Sequence, residues 1–291
     1  MNTVNSEIWD SALLPLRDPW GSSDSHWKTP WQAAHQSASL ARILLAWETL
    51  QAQPAASVDS AEPYSLPWFL GIERQRHGKL GRWIPKILEF TRHRGETLLG
   101  IGDGLGTDWV QYAQNGATVV VCSESGPQLS VIRRNFEVRN LSGRFMHAHP
   151  RQLPLDSDSI DVVCLSALHQ PLESPEQVIA EVYRVLKPGG KVLAVTPAFY
   201  DIAYWTRICF FWQSWLADKQ PPPQVEPRFS GRSLRGLFGR FVEHRLYKRQ
   251  LRRSEVPHLW RWIPTSWLAR LVGTALVLKA FKPLPLAKGM E

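Results

Sequence analysis

The chain of 291 residues carries 34 Lys+Arg against 26 Asp+Glu, a formal charge of +8, with 44% hydrophobic and 21% charged residues. A chain of this size buries roughly 75% of its unfolded surface, which excludes a mini-protein held by staples, and the composition excludes wholesale disorder. Three cysteines, at positions 122, 164 and 209, form no CxxC pair, so neither a zinc site nor a disulfide framework is readable and a reducing compartment follows.

The first residues, MNTVNSEIWDSALLPLRDPW, have no basic stretch leading into an apolar one. No run approaches the roughly 20 apolar residues of a membrane span. The expectation is a soluble, cytoplasmic protein. Residues 1–66 hold Trp9, Trp20, Trp27, Trp31 and Trp47 among Ser, Pro and Asp, with one helical pattern, WQAAHQSASLARILLAWETLQ. They read as a partly ordered N-terminal extension, tied by the small, polar, proline-flanked segment 53–63 to a domain spanning 67–291.

Between 97 and 196 short apolar runs alternate with helical periods. TLLGIG is followed by a helix over 107–115, TVVVC by a helix over 127–139, then RFMHA, IDVVCL, a helix over 175–186, and KVLAVTP. Strands rich in Val, Ile and Leu with no polar face belong in a parallel sheet covered on both sides. The fold class is therefore α/β, doubly wound. After Pro197 come an aromatic helical segment, a PPP breaker at 221–223, a basic region, and GTALVLKAF at 273–281 as a last strand.

The run GIGDGLG places Gly102, Gly104 and Gly106 between a strand and a helix, where backbone amides approach a ligand closely. A dinucleotide fingerprint wants G-x-G-x-x-G, and its third glycine falls here on Thr107, which argues against an NAD-linked oxidoreductase. G-x-G-x-G is the spacing used for S-adenosylmethionine (SAM).

Further along, PRQLPLDSDSIDVVCLSALHQPLESPEQVIAEVYRVLKPGGKVLAVTP, residues 150–197, resembles the class I SAM-dependent methyltransferases of the methyltransferase type 11 family. The family's LP element and acidic turn lead to a fourth strand written F-D-V-V, matched by Ile160, Asp161, Val162 and Val163. Its L-H-x motif is matched by Leu168, His169 and Gln170, and its R-V-L-K-P-G-G by Arg184 to Gly190. In the KPGG turn Pro188 presets φ and Gly189 supplies a positive φ. The resemblance implies a seven-stranded Rossmann-like sheet, with strands six and seven around FVEHRLY and GTALVLKAF, and SAM as cofactor.

Three acidic positions of the family are replaced. The acid before the glycine loop is Gly100; Asp103 stands inside the loop, facing the methionine ammonium or simply tipping the turn. The ribose acid aligns with Ser123, with Glu124 one place on as a substitute acceptor or a solvated strand-end acid. The adenine-contacting Asp aligns with His149. His169, after strand four at the carboxyl edge, is a general base or a packing histidine. Together these imply a methyltransferase for a small or lipid-like acceptor, or alternatively a methyltransferase-fold binding or scaffold module that has lost SAM.

The aromatic and basic elaboration at 198–272 contains nine Lys/Arg and one Glu between 228 and 253, followed by Trp260, Trp262 and Trp267. Cations beside interfacial aromatics suit an anionic membrane surface or a lipid-like acceptor ahead of a nucleic acid, or form a solvated face.

Overall fold

The computed structural model describes residues 61–102, 104–165, 174–209, 228–251 and 253–285. The elements are α1 (Leu66–Arg76), α2 (Ile84–Leu88), β1 (Thr97–Ile101), α3 (Thr107–Gln114), β2 (Thr118–Ser123), α4 (Gly126–Glu137), β3 (Arg144–His147) and β4 (Ile160–Leu165). There follow α5 (Pro175–Val185), β5 (Leu186–Pro197), α6 (Ile202–Cys209), α7 (Gly231–Leu237), β6 (Val242–Arg249), two 3-10 turns (Arg253–Glu255 and His258–Trp260), α8 (Thr265–Val272) and β7 (Ala275–Phe281).

Seven strands form one sheet in the order β3-β2-β1-β4-β5-β7-β6. Strands β1 to β5 pair in parallel and β7 runs antiparallel between β5 and β6. Alternate residues of each central strand feed two separate cores, as a period of two requires. Leu99, Ile101, Val120, Cys122, Val163 and Leu165 pack with Val178 and Val182 of α5 on one face. Leu98, Val119, Val121, Val162 and Cys164 pack with α3 and α4 on the other. This is why the strands read as unbroken apolar runs.

The family's sequence motifs resolve into structural joints. Asp161 accepts the Thr97 amide at 2.9 Å and the Lys187 ammonium at 2.7 Å, tying the starts of β1, β4 and β5. Arg184 donates to the carbonyls of Leu153 and Leu155 at 3.0 and 2.8 Å, and pairs with Glu181, which accepts the Leu153 amide at 3.1 Å. The R-V-L-K-P-G-G helix end thus holds the LP element in place. The KPGG segment differs in detail from a turn preceding β5. It lies inside the strand as an irregularity of register between Ile160 and Val162, with Gly189 at φ 77° and its amide donating to Lys282 O at 2.9 Å. The glycine conformation is as expected; the carbonyl of Lys282 draws the segment into the sheet.

The N-terminal portion of the described chain packs on the domain. Ser65 caps α1 by accepting the Trp68 amide. Trp68, Phe69 and Ile72 of α1 bury against Leu105 of the glycine loop and Val131 of α4. The expected aromatic helix after β5 is present as α6; its continuation and the helical pattern at 31–51 lie outside the described residues.

Candidate active site

All parallel strands end at one edge. Ile101 stands level with Cys122 of β2 and Leu165 of β4, so Gly102 leaves the sheet beside Ser123. Gly102, Gly104 and Gly106 have φ values of 143°, 147° and 73°, a backbone that L side chains rarely adopt. At Gly106 a Cβ would also lie 2.7 Å from Ile132 Cγ2. Two buried amides fasten the loop: Gln128 Nε2 donates to Gly104 O at 3.1 Å and Asn135 Nδ2 to Leu105 O at 2.8 Å. Both come from α4, so the loop's shape is set by the helix that follows β2.

Ser123 belongs to this fastening. Its hydroxyl is buried, donates to Gln128 Oε1 at 2.9 Å and accepts the Ser125 amide at 3.1 Å. Glu124, the next residue, is 48% exposed at its side chain and pairs with His149 Nε2 at 3.2 Å. His149 Nδ1 accepts the Arg151 amide at 3.1 Å, and Arg151 Nε lies 3.3 Å from both ring nitrogens, so the ring is held between Glu124 and Arg151. The structure therefore brings Ser123, Glu124 and His149 together beside the glycine loop. Asp103 and His169 lie outside the described residues.

At Gly100 the physical reason for the missing acid is visible. A Cβ there would lie 2.5 Å from Trp109 Cε2 and 2.6 Å from Nε1, and Trp109 is buried. The indole of α3 occupies the volume that a side chain at position 100 would need.

Sequence reasoning missed the ionic cluster next to it. Asp108, in the first turn of α3, accepts Arg76 Nε at 2.7 Å, pairs through its second oxygen with Arg76 Nη2, and meets His77 Nε2 at 3.1 Å. Burial alone would raise this carboxyl; the Arg76 guanidinium, then His77, hold it well below the usual carboxylate range. The one available signal was an acid in the first helical turn after a glycine loop, which favours the helix dipole.

Two strands away, the turn after β5 and the first part of α6 place Phe199, Tyr200, Tyr204 and Trp205 at the same edge. Their rings contact in sequence at centroid distances of 4.9–5.6 Å, and Phe199 and Tyr200 are each 44% exposed. They form an aromatic ledge open to solvent. No cluster of His, Cys, Asp and Glu suited to a metal occurs among the described residues.

A family model described as a methyltransferase domain matches residues 98–194. Residues 98–194 thus match the type 11 methyltransferase domain family. Domains of this family use SAM as methyl donor. The match runs from β1 to β5 and so takes in the glycine loop and the β2 end, with the aromatic ledge just beyond it. Over 103 residues the chain is 37% identical to the demethylmenaquinone methyltransferase of Clavibacter sepedonicus, covering 34% of this chain and 40% of that protein. Over 117 residues it is 34% identical to the demethylmenaquinone methyltransferase of Thermus thermophilus, covering 39% and 53%. It thus spans about half or less of the length of these relatives. Among solved structures, the [4+2]-cyclase SpnF shares the fold at TM-score 0.53 and 18% identity, covering 83% of this chain and 92% of that one. A SAM-dependent methyltransferase from Aquifex aeolicus shares it at 0.50 and 14%, covering 74% and 96%.

Proposed function

We propose that the chain is a SAM-dependent methyltransferase acting on an apolar, ring-bearing small molecule received over the aromatic ledge. The observation that carries this reading is the placement, along one sheet edge, of the fastened glycine loop, the exposed Glu124 carboxylate and the Phe199–Trp205 ledge. Strands lie about 4.8 Å apart, so the two strand steps from β1 to β5 separate loop and ledge by on the order of 10 Å, a span that one cofactor and one acceptor fill. The names of the relatives, two demethylmenaquinone methyltransferases and a sterol 24-C-methyltransferase from Pneumocystis carinii, support an apolar acceptor.

The residues present fit the cofactor in a modified way. Gly102, Gly104 and Gly106 would lie along its amino-acid portion, and His149 would stand beside the adenine. Ser123 is committed to Gln128, so Glu124, whose carboxylate is half exposed at the same strand end, would accept the ribose hydroxyls. To do so it must give up part of its pairing with His149, which weakens the site relative to one with a dedicated acid. Bound SAM supplies a sulfonium methyl for in-line displacement, a reaction that asks the protein mainly for positioning. The ledge would fix the acceptor ring by face and edge contacts.

Calorimetric titration of the full chain with SAM and with its demethylated product tests this. Binding in the micromolar to millimolar range, followed by transfer of labelled methyl to a prenylated naphthoquinol, is expected. No heat at millimolar ligand removes the enzyme reading and leaves a methyltransferase-fold binding module.

A further inference from the structure

The carboxyl edge carries a second surface. Arg249 at the end of β6 and Pro197 at the end of β5 both face Ala275 at the start of β7. Residues 250–274 therefore cap the same edge as the ledge. The cap is fastened there: Ala198 N donates to Thr274 O at 2.8 Å, and Lys248 Nζ donates to the carbonyls of Tyr200 and Leu271. A small core closes beneath it, in which Leu251, Val256, Leu268, Ala269 and Val272 pack on Ile202 of α6.

Helix α8 spends its buried face on that core. The opposite face of a surface helix is ordinarily charged or polar. Here it presents Trp267, 69% exposed, and Leu271, 70% exposed, which are neighbours four residues apart, while Trp262 in the preceding turn is 82% exposed. A single exposed apolar residue is ordinary; three large ones on an eight-residue helix and its lead-in make a patch. The charge around the patch is predominantly positive. Residues 249–272 contain five arginines and one glutamate, and Arg253 and Arg270 are exposed.

We propose that this face docks the protein peripherally on an anionic lipid bilayer, with Trp262, Trp267 and Leu271 entering the headgroup region and Arg253 and Arg270 engaging lipid phosphates. Indole rings partition to that interface because their body is apolar and their N–H is polar, and guanidinium groups match phosphate geometry. A second copy of the chain on this face would set arginines against arginines. No helix among the described residues is long and apolar enough to cross a membrane, so the contact is at the surface. Docking would bring the ledge to the bilayer side, where an apolar acceptor resides; that corollary rests on the proposed function, whereas the docking itself does not.

The test is co-sedimentation of the full chain, without donor or acceptor, with phosphatidylglycerol–phosphatidylcholine vesicles and with pure phosphatidylcholine vesicles, at low and high salt. The expected result is binding to the anionic vesicles that falls with salt. Exchanging Trp262 and Trp267 together for Ala should weaken it at least about tenfold, from the interfacial area lost. Arg253→Glu and Arg270→Glu should each weaken it roughly fivefold or more. All four positions are exposed, and circular dichroism is the check that each variant is folded. Equal recovery in the supernatant under every condition overturns the proposal, as does vesicle binding that the tryptophan exchange leaves unchanged. A dimer of the wild-type chain that the same exchange dissociates, with no vesicle binding, overturns it in favour of a second copy. Failure of methyl transfer leaves the vesicle result standing.

Discussion

Replacing Gly100 by alanine isolates the contact that distinguishes this glycine loop from an acidic one. The new methyl would lie 2.5 Å from Trp109 Cε2 and 2.8 Å from Cδ2, whereas carbon atoms rest at about 3.5–4.0 Å. The indole must retreat by about 1 Å within a fully packed layer that includes Leu98, Tyr112 and Cys164. Overpacking of this kind costs about 1–3 kcal/mol. Alanine regains about 0.5–1 kcal/mol of chain entropy over glycine in a strand, which leaves a net loss of up to about 2.5 kcal/mol. In a Trp109→Phe background the atoms nearest the new methyl, Nε1 and Cε2, are gone, so the same substitution should cost less, with a coupling of about 1 kcal/mol between the two sites. Urea unfolding of the four proteins, read as midpoint shifts at constant m value, measures the cycle. Gly100→Ala that is stabilising, or two effects that add within about 0.3 kcal/mol, would refute the wedge between strand and indole.

Three further outcomes are expected. Glu124→Ala should weaken SAM binding by about 1.5–3 kcal/mol, the worth of a charged hydrogen bond, while Ser123→Asp should gain little because Gln128 already holds that position; tightening by Ser123→Asp with no effect of Glu124→Ala in calorimetry would reverse the assignment. Burial alone would raise Glu89, but Lys191 at 2.6 Å and Lys279 at 2.9 Å hold its carboxyl at about 2 against an ordinary 4.5. Its contribution to stability, about 1–2 kcal/mol after allowance for solvent, is therefore fully present above about pH 4.5 and lost as the pH falls toward about 2; the stability gap between wild type and Glu89→Gln should narrow over that window in acid titrations. Burial pushes the Cys122 and Cys164 thiols up to about 12, so a thiol reagent at neutral pH should modify partly exposed Cys209 in the native protein and reach the other two only on unfolding.

The sheet was legible because each strand carries its own signal. Thr97–Ile101, Thr118–Ser123 and Ile160–Leu165 are short apolar runs bounded by turn residues, and the antiparallel partners Val242–Arg249 and Ala275–Phe281 follow the order that the family resemblance implies. The glycine loop was legible from spacing. What remained hidden depends on side chains separated in sequence. Arg76 and Asp108 are 32 positions apart and Glu89 and Lys191 102 apart; in a sequence such charges read as solvated, and only the packing of α1 and α2 buries them. The roles of Ser123 and Glu124 could not be ordered from the sequence either, because neighbouring residues at a strand end point to opposite sides. Which one turned toward Gln128 was decided by α4.

The buried Arg76–Asp108 pair also bears on where this protein can be cut. Residues 98–194 define a domain by likeness, yet they do not make an autonomous piece of chain. A fragment beginning at residue 98 would lose Arg76 and His77, both partners of the Asp108 carboxylate, together with the helix that shields it from water. It would also strip the Leu88 carbonyl from the Tyr112 hydroxyl and Glu89 from two lysines, and uncover Leu105 in the loop itself. Excision at the homology boundary thus removes the outer wall of the glycine loop, and any truncated protein meant to bind a ligand there must begin ahead of Ser65.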